Sequence, residues 1–232
     1  MLTIGHRGAK GHVTENTLAS FAKAIEMGVQ GIELDVHVCA SGELVVFHDV
    51  TVDRLTNGTG EVTKFTLAEL KALEVVGGHT IPTLNEVLDL ADRKCLVNIE
   101  MKGRHTAQPV NETIERYIAD KGWAYADFIV SSFQYEELKA MSTINPKIPI
   151  GVLTEASVHQ AWEWADAFNA AALHPHYTLL TESNVTKAHE AGYKIYTWTV
   201  NEPADIVHVK ALGVDGIITD FPEGVILHDY KL

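Results

Sequence analysis

Eight short apolar runs, most of them followed by a helical pattern, restrict this sequence to very few folds. The runs are Leu2–Gly5, Ile32–Val36, Leu96–Lys102, Phe128–Phe133, Ile148–Leu153, Ala170–His174, Lys194–Val200 and Val214–Thr219. They are short and rich in Val, Ile and Leu, as strands buried on both faces of a parallel sheet tend to be. Between the first two, Leu18, Phe21, Ala22 and Ile25 form the apolar stripe of a helix that Asn16 or Thr17 caps and that ends near Gly28. Further helices are predicted from Thr83 through Leu90, near 110–121, and over Tyr135–Ser142, Val158–Phe168, Thr181–Ala191 and Pro203–Leu212. Capping boxes at Thr66/Glu69 and Thr83/Glu86, and a proline suited to the first turn at Pro203, mark helix starts. Eight strand–helix units in 232 residues indicate an α/β fold, the TIM (β/α)8 barrel. An open doubly wound sheet is the competing architecture, and no glycine-rich dinucleotide loop supports it.

One unit departs from the pattern. Gly31–Val38 is followed by an Ala-Ser-Gly turn and a second apolar run, Leu44–Phe47, which leads into His48-Asp49. So short a turn predicts an antiparallel hairpin. With Val38 opposite Leu44, His48 folds back beside Leu34 and Asp35. From Val50 to Thr80 the periodicity changes, and Thr56-Asn57-Gly58-Thr59-Gly60 is rich in turn residues. Residues 50–80 therefore read as a small insertion after the second strand, over one mouth of a single barrel domain spanning 1–232. No internal repeat, low-complexity tract or linker interrupts it.

The net charge of −13 argues against nucleic acid or an anionic membrane surface as the main partner. A small phosphate ligand is still compatible, because a local Arg/Lys site overrides a global charge. Cys39 and Cys95 are the only cysteines and suggest reduced thiols. Met1–His6 has neither the basic start nor the apolar run of a signal peptide, and no segment approaches the ~18 apolar residues of a membrane span. The expectation is a cytoplasmic protein without stable membrane insertion, with self-association into a homo-oligomer left open.

Chemistry in a TIM barrel gathers at the C-terminal ends of the strands. There this chain carries His6-Arg7, Glu33, Asp35, Glu100, Lys102, Ser131-Ser132-Phe133, His174, Trp198 and Thr219-Asp220. Side chains alternate along a strand, so Glu33 and Asp35 share a face. Unpaired carboxylates on a buried face repel one another and lose hydration, a cost of several kcal/mol that a bound cation removes. Glu33, Asp35 and Glu100 suit a hard cation, Mg²⁺ or Ca²⁺; no Cys/His spacing typical of zinc is present. Arg7 and Lys102 add positive charge beside it, and a phosphate group is the natural ligand of such a cluster. His6 and His48 then offer two imidazoles, one to take a proton and one to give it near neutral pH.

Taken together, His6-Arg7-Gly8, Glu15-Asn16-Thr17, Glu33-Leu34-Asp35-Val36, His48-Asp49, Glu100-Met101-Lys102, Ser132-Phe133, Trp198-Thr199 and Gly216–Pro222 resemble the glycerophosphodiester phosphodiesterase family in order and spacing. The resemblance runs from about residue 4 to 223. It implies a TIM barrel with an insertion after the second strand and cation-dependent hydrolysis of a small-molecule glycerophosphodiester to glycerol 3-phosphate and an alcohol. It also implies His6 and His48 as the catalytic pair, Glu33, Asp35 and Glu100 as metal ligands, and Arg7 and Lys102 as phosphate contacts. Phe133 and Trp198 are expected to wall the pocket against the glycerol or the leaving alcohol. Glu15-Asn16 is expected to shape the first loop–helix junction, and Asp220-Phe221-Pro222 to close the barrel without taking part in chemistry. His12, His37, His79 and His105 read as surface or loop residues, and His174 as equally a pocket or a core residue. Two other activities fit the same residues: a lysophospholipase D-type reaction on lipids, and a non-catalytic phosphate-binding barrel. The second leaves the paired histidines without a purpose.

Overall fold

The computed structural model describes residues 1–229. Its first elements are β1 (Leu2–Gly5), α1 (Leu18–Glu26), β2 (Gly31–Val38) and the hairpin arm β3 (Leu44–Val46). Residues 50–80 contain a short helix α2 (Leu67–Ala72) and lead into α3 (Leu84–Ala91). Regular alternation follows with β4 (Leu96–Met101), α4 (Ala107–Lys121), β5 (Phe128–Ser132), α5 (Tyr135–Ile144), β6 (Ile150–Thr154) and α6 (Val158–Phe168). The described residues finish with β7 (Ala172–Pro175), α7 (Glu182–Glu190), β8 (Lys194–Thr197), α8 (Pro203–Ala211), β9 (Gly216–Thr219) and α9 (Pro222–Asp229).

The sheet order is β1-β9-β8-β7-β6-β5-β4-β2, and pairing of β1 with β2 closes it. All eight barrel strands run parallel, so this is the (β/α)8 barrel that the sequence indicates. β3 is the antiparallel arm on β2, with Val38 opposite Leu44 and Val36 opposite Val46.

Strand alternation divides the buried residues into two layers. Ile32, Leu34, Val97, Ile99, Val130, Val152, Leu173, Ile195 and Ile217 face outward and join Phe21, Leu88, Ile114 and other helix residues in the main core. Ile4, Ile129, Ala172, Tyr196 and Ile218 form the separate cluster that fills the barrel. The inward series on β2 and β4 therefore runs through Glu33, Asp35, Asn98 and Glu100, all of them buried. The 50–80 segment carries a core of its own, in which Val52, Val62, Leu70 and Val75 pack on Val45 and Phe47.

Both predicted capping boxes are present, Thr66 with Glu69 and Thr83 with Glu86. Thr17, not Asn16, caps α1 through the Ser20 amide at 3.1 Å. α4 starts at Ala107, ahead of the predicted 110, because Pro109 falls in its first turn where no amide hydrogen is needed. No helix among the described residues is long and apolar enough to cross a membrane.

Candidate active site

The C-terminal ends of the strands surround a cavity of about 360 Å³. Its walls include His6, Arg7, Glu33, His48, Glu100, Lys102, Phe133 and Trp198, and Asn98, Ser131 and Ile218 also line it. Asp35 adjoins this set through Glu33 and Glu100. One oxygen from each of these three carboxylates lies within 4.8 Å of the others. Asp35 is directly in register with Glu100 across the β2–β4 pair, which is why residues far apart in sequence meet here.

Positive charge around the three acids is insufficient. The Arg7 guanidinium sits 3.4 Å from Asp35 Oδ2, but it also donates to Glu15 Oε1 at 2.7 Å. The Arg7 amide donates to Glu33 Oε2 at 2.9 Å. Lys102 Nζ donates to Glu100 Oε1 at 3.0 Å and lies 3.8 Å from Asp35 Oδ1. Asn16 Nδ2 donates to Asp35 Oδ2 at 2.9 Å. Burial, followed by the neighbouring Asp35 and Glu100, drives the Glu33 carboxyl well above its ordinary range. Burial and Asp35 push Glu100 up to about 7. An all-oxygen set of three crowded, under-compensated carboxylates fits a hard divalent cation.

Each candidate histidine gives Nδ1 to an aspartate. His6 Nδ1 lies 2.6 Å from Asp220 Oδ1, and His48 Nδ1 lies 2.7 Å from Asp49 Oδ1. Such pairing leaves Nε2 as the nitrogen available on the cavity side. Burial lowers both imidazole pKa values, and the facing aspartates oppose that shift. His6 is aimed by the turn after β1, where Arg7 has φ 52° and Gly8 φ 86°. A Cβ on Gly8 would approach Ser20 Oγ to 2.4 Å, so this left-handed step beside α1 requires glycine. The hairpin delivers His48 as its register predicts, the Phe47 amide donating to the Asp35 carbonyl at 3.0 Å.

The aromatic wall consists of Phe133 and Trp198, edge to face at 5.5 Å. Trp198 Nε1 donates to the His174 carbonyl at 2.7 Å, which fixes the indole plane.

Two sequence expectations need correction, and one open alternative is decided. Asp220 does more than close the barrel, since it holds His6 and is itself held through Oδ2 by Asn201 Nδ2 at 2.9 Å. His37 is a buried residue whose Nε2 faces the His48 carbonyl at 3.4 Å, because the β2 alternation carries it inward after Asp35. His174 is wholly buried inside the barrel, in space that a Cβ on Gly151 would invade at 2.5 Å. Burial pushes its pKa down to about 3. Arg54, which no sequence motif marks, also reaches Glu15 and Asp49 from the 50–80 segment. For Asp220 a usable signal exists, because it continues the inward series from Ile218. For Arg54 there is none, since its contact with Glu15 spans 39 residues through two loops.

The sequence profile of the Glycerophosphoryl diester phosphodiesterase family matches residues 6–224. A glycerophosphodiester phosphodiesterase of Caldanaerobacter subterraneus subsp. tengcongensis is 40% identical over 234 residues, covering 97% of this chain and 96% of that protein. One from Bacillus altitudinis is 36% identical, with 94% of each chain covered. Among solved structures, an Oleispira antarctica phosphodiesterase in complex with the product sn-glycerol-3-phosphate superimposes with a TM-score of 0.89 at 28% identity. The match covers 100% of this chain and 97% of that one. A profile match over nearly the whole chain, joined to a barrel whose strand ends gather the quoted motifs around one cavity, makes this chain a member of the glycerophosphoryl diester phosphodiesterase family.

Proposed function

We propose that the chain hydrolyses a glycerophosphodiester to glycerol 3-phosphate and an alcohol, with Glu33, Asp35 and Glu100 holding a divalent cation, Mg²⁺ or Ca²⁺. The observation that carries the reading is the meeting of two aspartate-held imidazoles and a charge-deficient triad of carboxylates at one cavity. Family membership supports the substrate class, and so does the Oleispira relative, which is described with glycerol 3-phosphate as its product. A phosphate-binding barrel alone has no use for two imidazoles held in the same way. In this reading the chain is one barrel domain in which residues 50–80 form an insertion.

When bound, the cation supplies Lewis-acid polarisation of a phosphoryl oxygen. Arg7 binds a phosphate oxygen from the side opposite Glu15. Lys102 neutralises charge that develops on the phosphoryl oxygens. One histidine takes a proton at Nε2 from the attacking hydroxyl, and the other gives a proton from Nε2 to the departing alkoxide. Phe133 and Trp198 exclude water from the apolar side of the cavity.

The attacking group in this reading is the substrate's own glycerol 2-hydroxyl. Its oxygen bonds to phosphorus as the bond to the alcohol breaks, giving a five-membered cyclic phosphate. Water then opens the ring, with the two histidines exchanging roles. A hydroxyl already held beside phosphorus has an effective molarity that bulk water does not match. The test is alcohol release from a panel of glycerophosphodiesters (choline, ethanolamine, glycerol and inositol) with metals supplied one at a time. Turnover with at least one diester, and its absence without metal, is the expected result. No release from any of them contradicts the reading.

A further inference from the structure

Arg54 belongs to the 50–80 segment and does not line the cavity, yet its guanidinium bonds the two carboxylates that hold His48 and Arg7, which do. Nε donates to Asp49 Oδ2 at 2.6 Å and Nη2 to Asp49 Oδ1 at 3.0 Å. On the other side Nη2 donates to Glu15 Oε1 at 2.7 Å and Nη1 to Glu15 Oε2 at 3.2 Å. Asp49 Oδ1 is the atom that holds His48 Nδ1, and Glu15 Oε1 is the atom that accepts from Arg7 Nη1. Each carboxylate is therefore shared between Arg54 and one group assigned to the chemistry. We infer that Arg54 is a positioning residue: one planar fork fixes the His48 ring through Asp49 and the Arg7 guanidinium through Glu15. The inference rests on the roles proposed above for His48 and Arg7.

The chemistry of the groups explains why this position needs arginine. Asp49 is partly exposed, with its side chain 24% accessible, so without donors on its far side it turns toward water and releases the imidazole. Glu15 is almost fully buried, at 5%. Deprived of Arg54 it keeps Arg7 as its sole cation and draws that guanidinium away from the phosphate. A lysine supplies a point charge with no fixed fork, and so does not hold two carboxylates in one plane. Half of the Arg54 side chain remains in solvent, at 47%, so its own burial contributes little and its value lies in these four bonds. Through Arg54 the 50–80 segment takes part in the geometry of the site that it adjoins.

The test uses the full chain saturated with divalent cation, sn-glycero-3-phosphocholine as substrate, and thermal melting alongside kinetics. Arg54→Met is expected to lower kcat about tenfold to a hundredfold, the penalty of a small misplacement of reacting groups, and to raise KM by a smaller factor as Arg7 withdraws from the phosphate. Arg54→Lys is expected to regain the melting temperature without regaining kcat, and it carries the test if Arg54→Met does not fold. Because one arm of the Arg54 effect runs through Asp49, the double variant Arg54→Met/Asp49→Asn should lose less kcat than the product of the two single losses. Kinetic losses that follow the melting temperature and are restored by lysine, or that multiply in the double variant, overturn the inference. His48→Ala separates the two levels of argument. If it retains turnover, the reading of His48 itself fails; if it is inactive while Arg54→Met keeps the wild-type kcat, the positioning inference alone fails.

Discussion

Two sets of carboxylates stand at the same end of the barrel and are treated in opposite ways. Glu15 and Asp49 are clamped by the Arg54 fork. Burial works against Glu15, but hydrogen bonds from Arg54 and the charge of Arg7 hold it down at about 2. Hydrogen bonds from Arg54 hold Asp49 at about 2 as well. Glu33 and Glu100 lie deeper, face Asp35 and each other, and are pushed upward, Glu100 to about 7. The difference separates two jobs. Carboxylates clamped by a full set of cations orient neighbours, whereas carboxylates that outnumber their cations are, in the function proposed above, the ones that take a cation from outside.

The largest effect that tests this contrast is metal removal. Exhaustive chelation should abolish turnover, and Mg²⁺ or Ca²⁺ should restore it; Glu33→Ala, Asp35→Ala and Glu100→Ala should each lose metal affinity. Asp49→Asn, by contrast, should leave metal affinity nearly unchanged while lowering kcat. Full activity after chelation breaks the comparison at once.

Next in size are the histidines. His6→Ala and His48→Ala should each reduce kcat by about 10²–10⁴-fold with the fold intact. Neither variant should open glycerol 1,2-cyclic phosphate, which the wild type should hydrolyse. A substrate analogue with hydrogen in place of the 2-hydroxyl should bind without being cleaved, and cleavage near the natural rate rules the cyclic route out. Asp220→Asn should cost less, about 10–100-fold, because it disturbs the orientation of His6 and leaves the ring in place.

The smallest effect is on stability, and its sign differs between the two sets. Glu15 and Asp49 have folded values below their unfolded ones. Their contribution is fully present above about pH 4.5 and is lost as pH falls toward about 2. Glu100 has a folded value of about 7 against an ordinary 4.5, so in metal-free protein its effect runs the other way. Stability is then lost as pH rises from about 4.5 to 7, and bound metal should cancel that loss. Melting curves of metal-free protein should peak between the two windows, and Arg54→Met should flatten the acid side alone. A metal-free melting temperature that climbs steadily up to pH 7 contradicts the assignment of the triad.

Much of this arrangement was legible without coordinates because it depends on period and register. Alternation of two puts Glu33 and Asp35 on one face, and parallel pairing of neighbouring strands sets Asp35 beside Glu100. The short hairpin turn fixes His48. What was not legible depends on loops. Asp220 meets His6 across 214 residues only because β1 and β9 are neighbours in the closed barrel. The Glu15–Arg54–Asp49 clamp needs the conformation of two loops at once, which no periodicity encodes. His37 misled for a related reason: a polar residue on an inward strand position looks exposed until the layer that buries it is known, and the same layer decides His174 for the core.

Calorimetric titration of metal-stripped protein with Mg²⁺ or Ca²⁺ near pH 7, in two buffers of different ionisation enthalpy, tests the central claim directly. The account predicts saturation at one ion per chain, with protons released as the raised carboxyls of Glu33 and Glu100 ionise on binding. It further predicts that Glu33→Gln and Glu100→Gln each weaken the binding and reduce the proton release, while Glu15→Gln does neither. Binding that survives both triad substitutions unchanged, or turnover without any binding of a cation, would contradict it.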